Sequence, residues 1–272
     1  RQISPFCSFI STSKEEAANR RSLMDKQNFN ALCERTFSAN HLLDYITKEN
    51  LERFYLLSAL MLETNQTMNL TALKDETSFV TRHLADCLLA ANYLPQKRSL
   101  TLLDVGSGGG MPALPLAIVR PDIEITALDA TAKKTAYIAH AASELGLKNV
   151  HILNGRAEEL GTDLRYREKF DIVCARAVAE LRILFEWCVP FVKTGGLFLA
   201  LKGKNGLIEL EGAKNAAAKL ACTLETDENI CLVEQVNGDT TASERHIFLF
   251  RKTKPTEKIY PRRNAMITKK PL

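Results

Sequence analysis

After residue 100 the apolar positions of this chain switch between two rhythms. Short, nearly unbroken apolar runs fall near 101–105, 123–128, 150–154, 170–175 and 195–201. Between them lie stretches near 112–119, 131–145, 180–190 and 205–220 in which apolar residues return every three or four positions. The runs read as strands buried on both faces and the intervening stretches as helices with one apolar side. Parallel strands need helix-length crossovers, so the repeated alternation predicts a mostly parallel α/β sheet with helices on both faces. Cys222 to Val236 and Arg245 to Arg251 then read as an antiparallel hairpin closing one edge.

Upstream, Leu42, Leu43, Ile46, Leu51, Phe54, Leu57, Leu60 and Met61 recur at three- and four-residue intervals between about 37 and 66. This predicts amphipathic helices packed on the sheet, interrupted over Asn65 to Thr71, with a further helix from about Glu76 to Tyr93. Residues 1 to 23 carry no periodic pattern and suit a flexible extension, with Met24 an alternative start. The chain divides accordingly into a flexible extension over 1–36, a helical extension over 37–95, a core over 96–252 and a basic tail over 253–272.

Composition narrows the class. With 272 residues and 46% apolar content, the chain can bury one sizeable core plus a modest extension, and two independent domains are not expected. Seven scattered cysteines without a C-x-x-C pair give neither a zinc site nor a disulfide framework, which suits a reducing cytoplasm. No apolar run approaches the roughly 20 residues that span a bilayer, so no membrane association is expected.

The densest chemical signal is Leu102-Leu103-Asp104-Val105-Gly106-Ser107-Gly108-Gly109-Gly110-Met111-Pro112, an apolar strand meeting an acid and a glycine-rich turn before a helix. The glycines allow positive φ and close approach of a ligand to the strand end. Their G-x-G-x-G spacing differs from the dinucleotide loop and suits S-adenosylmethionine (SAM), which has no phosphate. A second apolar strand ends in Asp129, where a carboxylate can accept hydrogen bonds from ribose hydroxyls. Asp129 could also cap the helix that starts near Thr131, and the two roles are compatible. After the third strand, the loop at Arg156-Ala157-Glu158 lies where it can reach an adenine edge.

Taken with Asn69-Leu70-Thr71-Ala72, Arg82-His83 and Asp86, Arg176-Ala177, Leu201-Lys202-Gly203 and Glu244-Arg245-His246, these motifs resemble the RsmG (GidB) methyltransferases over roughly residues 35 to 272. The resemblance implies a Rossmann-like class I SAM-dependent fold with a seven-stranded sheet and an N-terminal helical extension. It also implies methylation at N7 of a guanine in bacterial 16S ribosomal RNA, in free rRNA or the small ribosomal subunit, by a cytoplasmic monomer that needs no metal. Asp104, Gly106, Ser107, Gly108, Gly110, Met111, Asp129, Ala157, Glu158 and Arg176 are the cofactor-binding residues it implies. One departure is Ala113, where the family has glycine in a Pro-Gly-x-Pro sequence; the added methyl is expected to shift the loop only locally.

Charge bears on the substrate. The net +4 is too small to diagnose nucleic-acid binding, but residues 251–272 carry eight Lys/Arg against one acid, Glu257. Such a tail suits phosphate contacts, with a solvated tail as the alternative. Arg82, His83, Lys133, Lys134, Arg156, Arg176, Lys202, Arg245, Arg262, Arg263, Lys269 and Lys270 form the candidate RNA-binding set, although each basic residue could instead serve an ion pair. Guanine N7 already bears a free lone pair. No general base is therefore expected, and Arg176 and Lys202 are assigned to orienting the guanine, one of them donating to O6. A Pro-Cys nucleophile and the Pro-Pro-aromatic turn of amino-group methylases are both absent. The alternatives are methylation of another RNA or small molecule, or a non-enzymatic rRNA-binding assembly factor.

Overall fold

The computed structural model describes residues 24–97, 99–236 and 239–272. Its seven strands, β1 (Leu100–Val105), β2 (Ile123–Asp129), β3 (Val150–Asn154), β4 (Phe170–Arg176), β5 (Val192–Lys202), β6 (Cys222–Val236) and β7 (Asp239–Lys252), form one sheet. The order is β3-β2-β1-β4-β5-β7-β6, with the first five strands parallel and β7 antiparallel to both β5 and β6. This is the Rossmann-like methyltransferase arrangement. Successive side chains alternate between faces: Leu102, Cys174 and Leu199 enter one apolar core, while Leu103, Val173 and Phe198 enter the other. Because β1 pairs with β2 on one side and β4 on the other, the strand order reverses at β1, and the connections leaving the C-terminal ends of β1 and β4 run toward opposite sides. A crevice opens at such a switch point.

The crossovers are α5 (Ala113–Val119), α6 (Ala132–Glu144), α7 (Ala157–Leu160) and α8 (Leu181–Cys188). They follow an N-terminal layer of α1 (Lys26–Ala39), α2 (Lys48–Met68), α3 (Glu76–Ser78) and α4 (Ala85–Ala91). Three expectations for this layer need correction. The flexible extension drawn to residue 36 is overturned over 26–36, where α1 buries Phe29, Leu32, Cys33, Thr36 and Phe37 on one face and Asp25 caps the N-H groups of Gln27 and Asn28. Residues 1–23 lie outside the described residues. The apolar Leu42 to Ile46 segment forms only a short 3-10 turn over Leu43–Tyr45, leaving Leu43 exposed.

The third correction concerns the interruption at Asn65. Helix α2 continues to Met68 and stops at Asn69, which takes a left-handed φ of 49°. Asn65 remains helical while its side chain grips the returning chain: Oδ1 accepts the Thr71 N-H, and Nδ2 donates to the Thr71 and Leu73 carbonyls. Between α3 and α4 the chain makes a π-type turn over Phe79–Leu84, a widening of the helix common at functional sites. The predicted 205–220 helix is two shorter pieces, α9 (Gly206–Gly212) and α10 (Lys214–Lys219).

The basic tail is fastened to the core. Arg167 donates to four backbone carbonyls, those of Gly161, Thr256, Glu257 and Tyr260, at 2.7–3.0 Å. Such a fan suits the five donors and fixed plane of guanidinium. Further along, the short helix α11 (Asn264–Lys269) buries Ile267, and Arg262 pairs with Glu186, a carboxylate with no exposure, at 2.7 Å. Arg262, expected among the RNA-binding residues, is thus placed in an ion pair that holds the tail to the core. Arg167→Ala should release the tail: loss of four bonds at about 0.5–1.5 kcal/mol each predicts roughly 2–6 kcal/mol lower stability. Limited trypsinolysis should then cleave within 253–263 much faster than in the parent, and an unchanged cleavage rate would show that the tail is held by other contacts.

Candidate functional site

The glycine turn between β1 and α5 separates packing from access. Gly106, Gly108 and Gly110 all take positive φ, at 76°, 57° and 81°. A Cβ on Gly106 would stand 2.7 Å from Val178 Cγ2, and one on Gly110 would stand 2.6 Å from Leu114 Cδ1. Both positions need glycine for close packing. At Gly108 the only neighbour within 4 Å of such a Cβ is the Gly106 carbonyl oxygen, at 3.9 Å. Gly108 opens instead onto a cavity of about 280 Å³, near the lower end of the roughly 300–1,000 Å³ typical of small-molecule sites.

Three walls enclose this cavity. Gly106, Ser107, Gly108, Gly109 and Met111 from the turn, with Asp129 and Lys134, make the first; Met61, Leu70, Thr71 and His83 from the N-terminal layer make the second; Arg176, Ala177 and Val178 after β4 make the third. Of the expected cofactor residues, Gly106, Ser107, Gly108, Met111, Asp129 and Arg176 are brought together. Gly110 is not in the wall, because its own close contact is with Leu114 on the helix behind it.

The two strand-ending acids do different work. Asp129 accepts the Gly108 N-H at 2.9 Å through one oxygen and the Thr131 N-H at 2.8 Å through the other, tying the turn to the entry of α6 while still facing the cavity. Asp104 lies behind the turn with 1% exposure, accepting the Ala113 N-H at 3.2 Å. Expected to bind cofactor, it lines no part of the cavity and holds the start of α5 behind the turn. Burial raises its pKa to about 6, against the lowering effect of the Ala113 hydrogen bond and the Arg176 charge.

A buried charge network forms the third wall. Asp86 on α4 accepts from Arg176 Nη1 and from Arg245 Nε, each at 2.8 Å and through separate oxygens. Arg176 also donates to His83 Nδ1 at 3.0 Å, and His83 Nε2 lies 2.5 Å from Thr71 Oγ1. Burial and the Arg176 charge lower the His83 pKa to about 4, so the ring is neutral at pH 7. Ala177, next in the chain, holds φ at 55° without being glycine, a strained conformation of the sort that gathers at binding sites.

Other expected residues lie elsewhere. Lys202, expected over the methyl donor, is buried, with Nζ 2.6 Å from Glu209 and donating to the Ala179 carbonyl at 2.7 Å, and does not line the cavity. Arg82 pairs with Glu234 at 2.7 Å and does not line the cavity. Arg245 serves Asp86. Ala157 and Glu158 open α7 one residue beyond exposed Arg156, outside the cavity wall. That loop still sits beside Asp129, whose carbonyl accepts from Gly155 N and Asn154 Nδ2. Lys133, Arg263, Lys269 and Lys270 are exposed and Lys134 half-buried. Missing from the sequence-based set are Thr71, Asp86 and Met61, although Thr71 and Asp86 stand inside motifs quoted above.

The opposed shifts of His83 and Asp104 predict opposite pH responses. His83, near 4 when folded and about 6.5 when unfolded, binds its proton more tightly unfolded, so its contribution to stability rises as pH climbs through that window. Asp104, near 6 when folded and about 3.9 when unfolded, binds its proton more tightly folded, so its contribution falls over nearly the same window. Urea melts between pH 4 and 6.5 should show the stability gap between parent and His83→Asn moving toward the parent as pH rises. For Asp104→Asn the gap should move the other way; parallel pH curves would contradict both assignments.

The family model described as rRNA small subunit methyltransferase G (GidB) matches residues 47–234. "Ribosomal RNA small subunit methyltransferase G" of Brevibacillus brevis is 40% identical over 227 residues, covering 84% of this chain and 93% of that protein. The protein of the same description from Clostridium perfringens strain 13 is 37% identical over 225 residues, covering 83% of this chain and 92% of that one. Among solved structures, precorrin-6y C5,15-methyltransferase from Geobacter metallireducens aligns with a TM-score of 0.49 at 15% identity, covering 61% of this chain and 86% of that chain. The match over well above half the sequence, and over nearly the full length of both relatives, makes this chain a member of the GidB family of rRNA small subunit methyltransferases.

Proposed function

We propose that the protein methylates N7 of a guanine in 16S rRNA, within free rRNA or the small ribosomal subunit, as a SAM-dependent monomer in the cytoplasm. The observation that carries this reading is one cavity, walled on one side by a glycine turn and the Asp129 carboxylate and on another by Arg176, whose charge is partly offset by the Asp86 carboxylate it shares with Arg245. The residues fit SAM. Gly108 leaves open space where a side chain would stand, Asp129 offers acceptor oxygens suited to ribose hydroxyls, and Met61, Leu70 and Met111 give apolar surface. When bound, SAM supplies an electrophilic methyl group on a positively charged sulfonium.

The protein's own task is alignment. Guanine N7 presents a lone pair without losing a proton, so no side chain must act as base. His83 is unsuited to that role, because both ring nitrogens are engaged. Holding reactants in line can contribute on the order of 7–11 kcal/mol in favourable cases. A purine that gains positive charge would be opposed by a bare cation beside it. Asp86, 2.8 Å from Arg176 and shared with Arg245, offsets part of the charge that Arg176 brings to the wall. The exposed Lys133, Arg156, Arg263, Lys269 and Lys270, with half-buried Lys134, are left to hold phosphates.

Incubation with labelled SAM and unmodified small-subunit rRNA should place label in N7-methylguanine, detected after digestion and chromatography. Label in another base, or only in a metabolite extract, would refute the assignment. Gly108→Leu should weaken SAM binding at least tenfold by calorimetry, while stability falls only by the roughly 1–2 kcal/mol that a left-handed side chain costs. Unaltered affinity in the folded variant would remove the turn from the cofactor site. Joint neutralisation of Arg263, Lys269 and Lys270 should flatten the salt dependence of RNA binding by about two log–log units for three phosphate contacts. Lys202→Ala is expected to lower thermal stability and leave the single-turnover rate at saturating RNA near the parent's.

A further inference from the structure

We propose that the Thr71 hydroxyl donates a hydrogen bond to O6 of the target guanine and so distinguishes guanine from adenine; this rests on guanine N7 being the methyl acceptor. The assignment follows from counting protons from Arg176 in the third wall to His83 and Thr71 in the second. Guanidinium has donors only, so Arg176 Nη2, 3.0 Å from His83 Nδ1, makes that nitrogen an acceptor. A neutral imidazole with an accepting Nδ1 carries its proton on Nε2. That N-H points to Thr71 Oγ1, 2.5 Å away. The Leu73 backbone N-H donates to the same oxygen at 3.1 Å. With two lone pairs occupied, the hydroxyl retains only its own proton, for which the described residues offer no acceptor.

Thr71 stands in the cavity wall, and its backbone is clamped on both sides by Asn65, through its N-H at 2.8 Å and its carbonyl at 2.9 Å. It is therefore a fixed group obliged to donate. On the edge that carries N7, guanine offers O6 as an acceptor, whereas adenine offers an amino donor. A donor-only hydroxyl completes a bond with guanine and opposes the amino group of adenine. Among rival donors, Lys202 is spent on Glu209 and the Ala179 carbonyl, and Arg176 Nε-H has no accessible surface. Arg176 keeps a second N-H on each Nη and Lys134 lines the first wall; donation from either to O6 would leave Thr71→Val without a guanine-specific loss. His83 and Arg176 are then positioning residues that act through Thr71.

The test combines a protein change with a base change. Single-turnover methylation is measured for the parent, Thr71→Val and Thr71→Ser on an rRNA fragment carrying either guanine or 2-aminopurine, which lacks O6, at the mapped target position. The parent should lose roughly five- to tenfold on 2-aminopurine, as expected for one neutral hydrogen bond. Thr71→Val should lose a similar factor on guanine and little more on 2-aminopurine, while Thr71→Ser stays within about twofold of the parent. Equal losses from Thr71→Val on both substrates would assign Thr71 a purely structural role and overturn the proposal. So would a parent enzyme that methylates 2-aminopurine as fast as guanine, a result that stands even if Thr71→Val does not fold. Failure of the parent to label any guanine N7 is a separate outcome that defeats the underlying reaction assignment.

Discussion

Asp86 is one carboxylate serving two guanidinium groups, with Arg176 and Arg245 each 2.8 Å from a different oxygen. The three residues belong to the N-terminal layer, the end of β4 and the antiparallel strand β7, so the pairings join elements that the sheet alone would not bring together. Their burial makes the arrangement demanding. Removing one partner from a buried ion pair leaves an uncompensated charge, at a cost of about 3–5 kcal/mol. The helical layer that carries Asp86 also supplies Met61, Leu70, Thr71 and His83 to the cavity.

The same network sets the polarity of the site. Arg176 orders His83, His83 orders Thr71, and Asp129 ties the glycine turn to α6. Each group in this chain has its hydrogen-bonding direction imposed by its neighbour, which is how a site without a base can favour one orientation of a purine. The charge balance matters equally. A carboxylate shared with Arg245 offsets part of the Arg176 charge and another offsets Lys202, while Lys133, Arg156 and Lys269 remain exposed.

Much of this was legible in the sequence where a local pattern had a local cause. The apolar runs placed the strands, and the G-x-G-x-G turn and Asp129 located the crevice, because strand burial and positive φ leave marks on consecutive residues. What escaped depended on distant partners. Lys202 and Arg262 lie in motifs or charge runs that resemble RNA contacts, yet Glu209 and Glu186 hold them in the fold. Asp86 sat inside a quoted motif, but only the tertiary structure shows that its two oxygens meet residues 90 and 159 positions away. Helix α1 was a different case: Phe29, Leu32, Cys33, Thr36 and Phe37 carry helical spacing that the sequence reading passed over.

The central claim is that Asp86 organises the base-orienting wall separately from the cofactor wall, and Asp86→Asn tests it most directly. SAM affinity by calorimetry and single-turnover methylation at saturating rRNA should be measured on the same folded preparation. The account predicts SAM affinity within about threefold of the parent and a methylation rate at least tenfold lower, since one misoriented wall leaves the glycine turn and Asp129 intact. An unchanged rate, or a rate and an affinity that fall by the same factor, would contradict it.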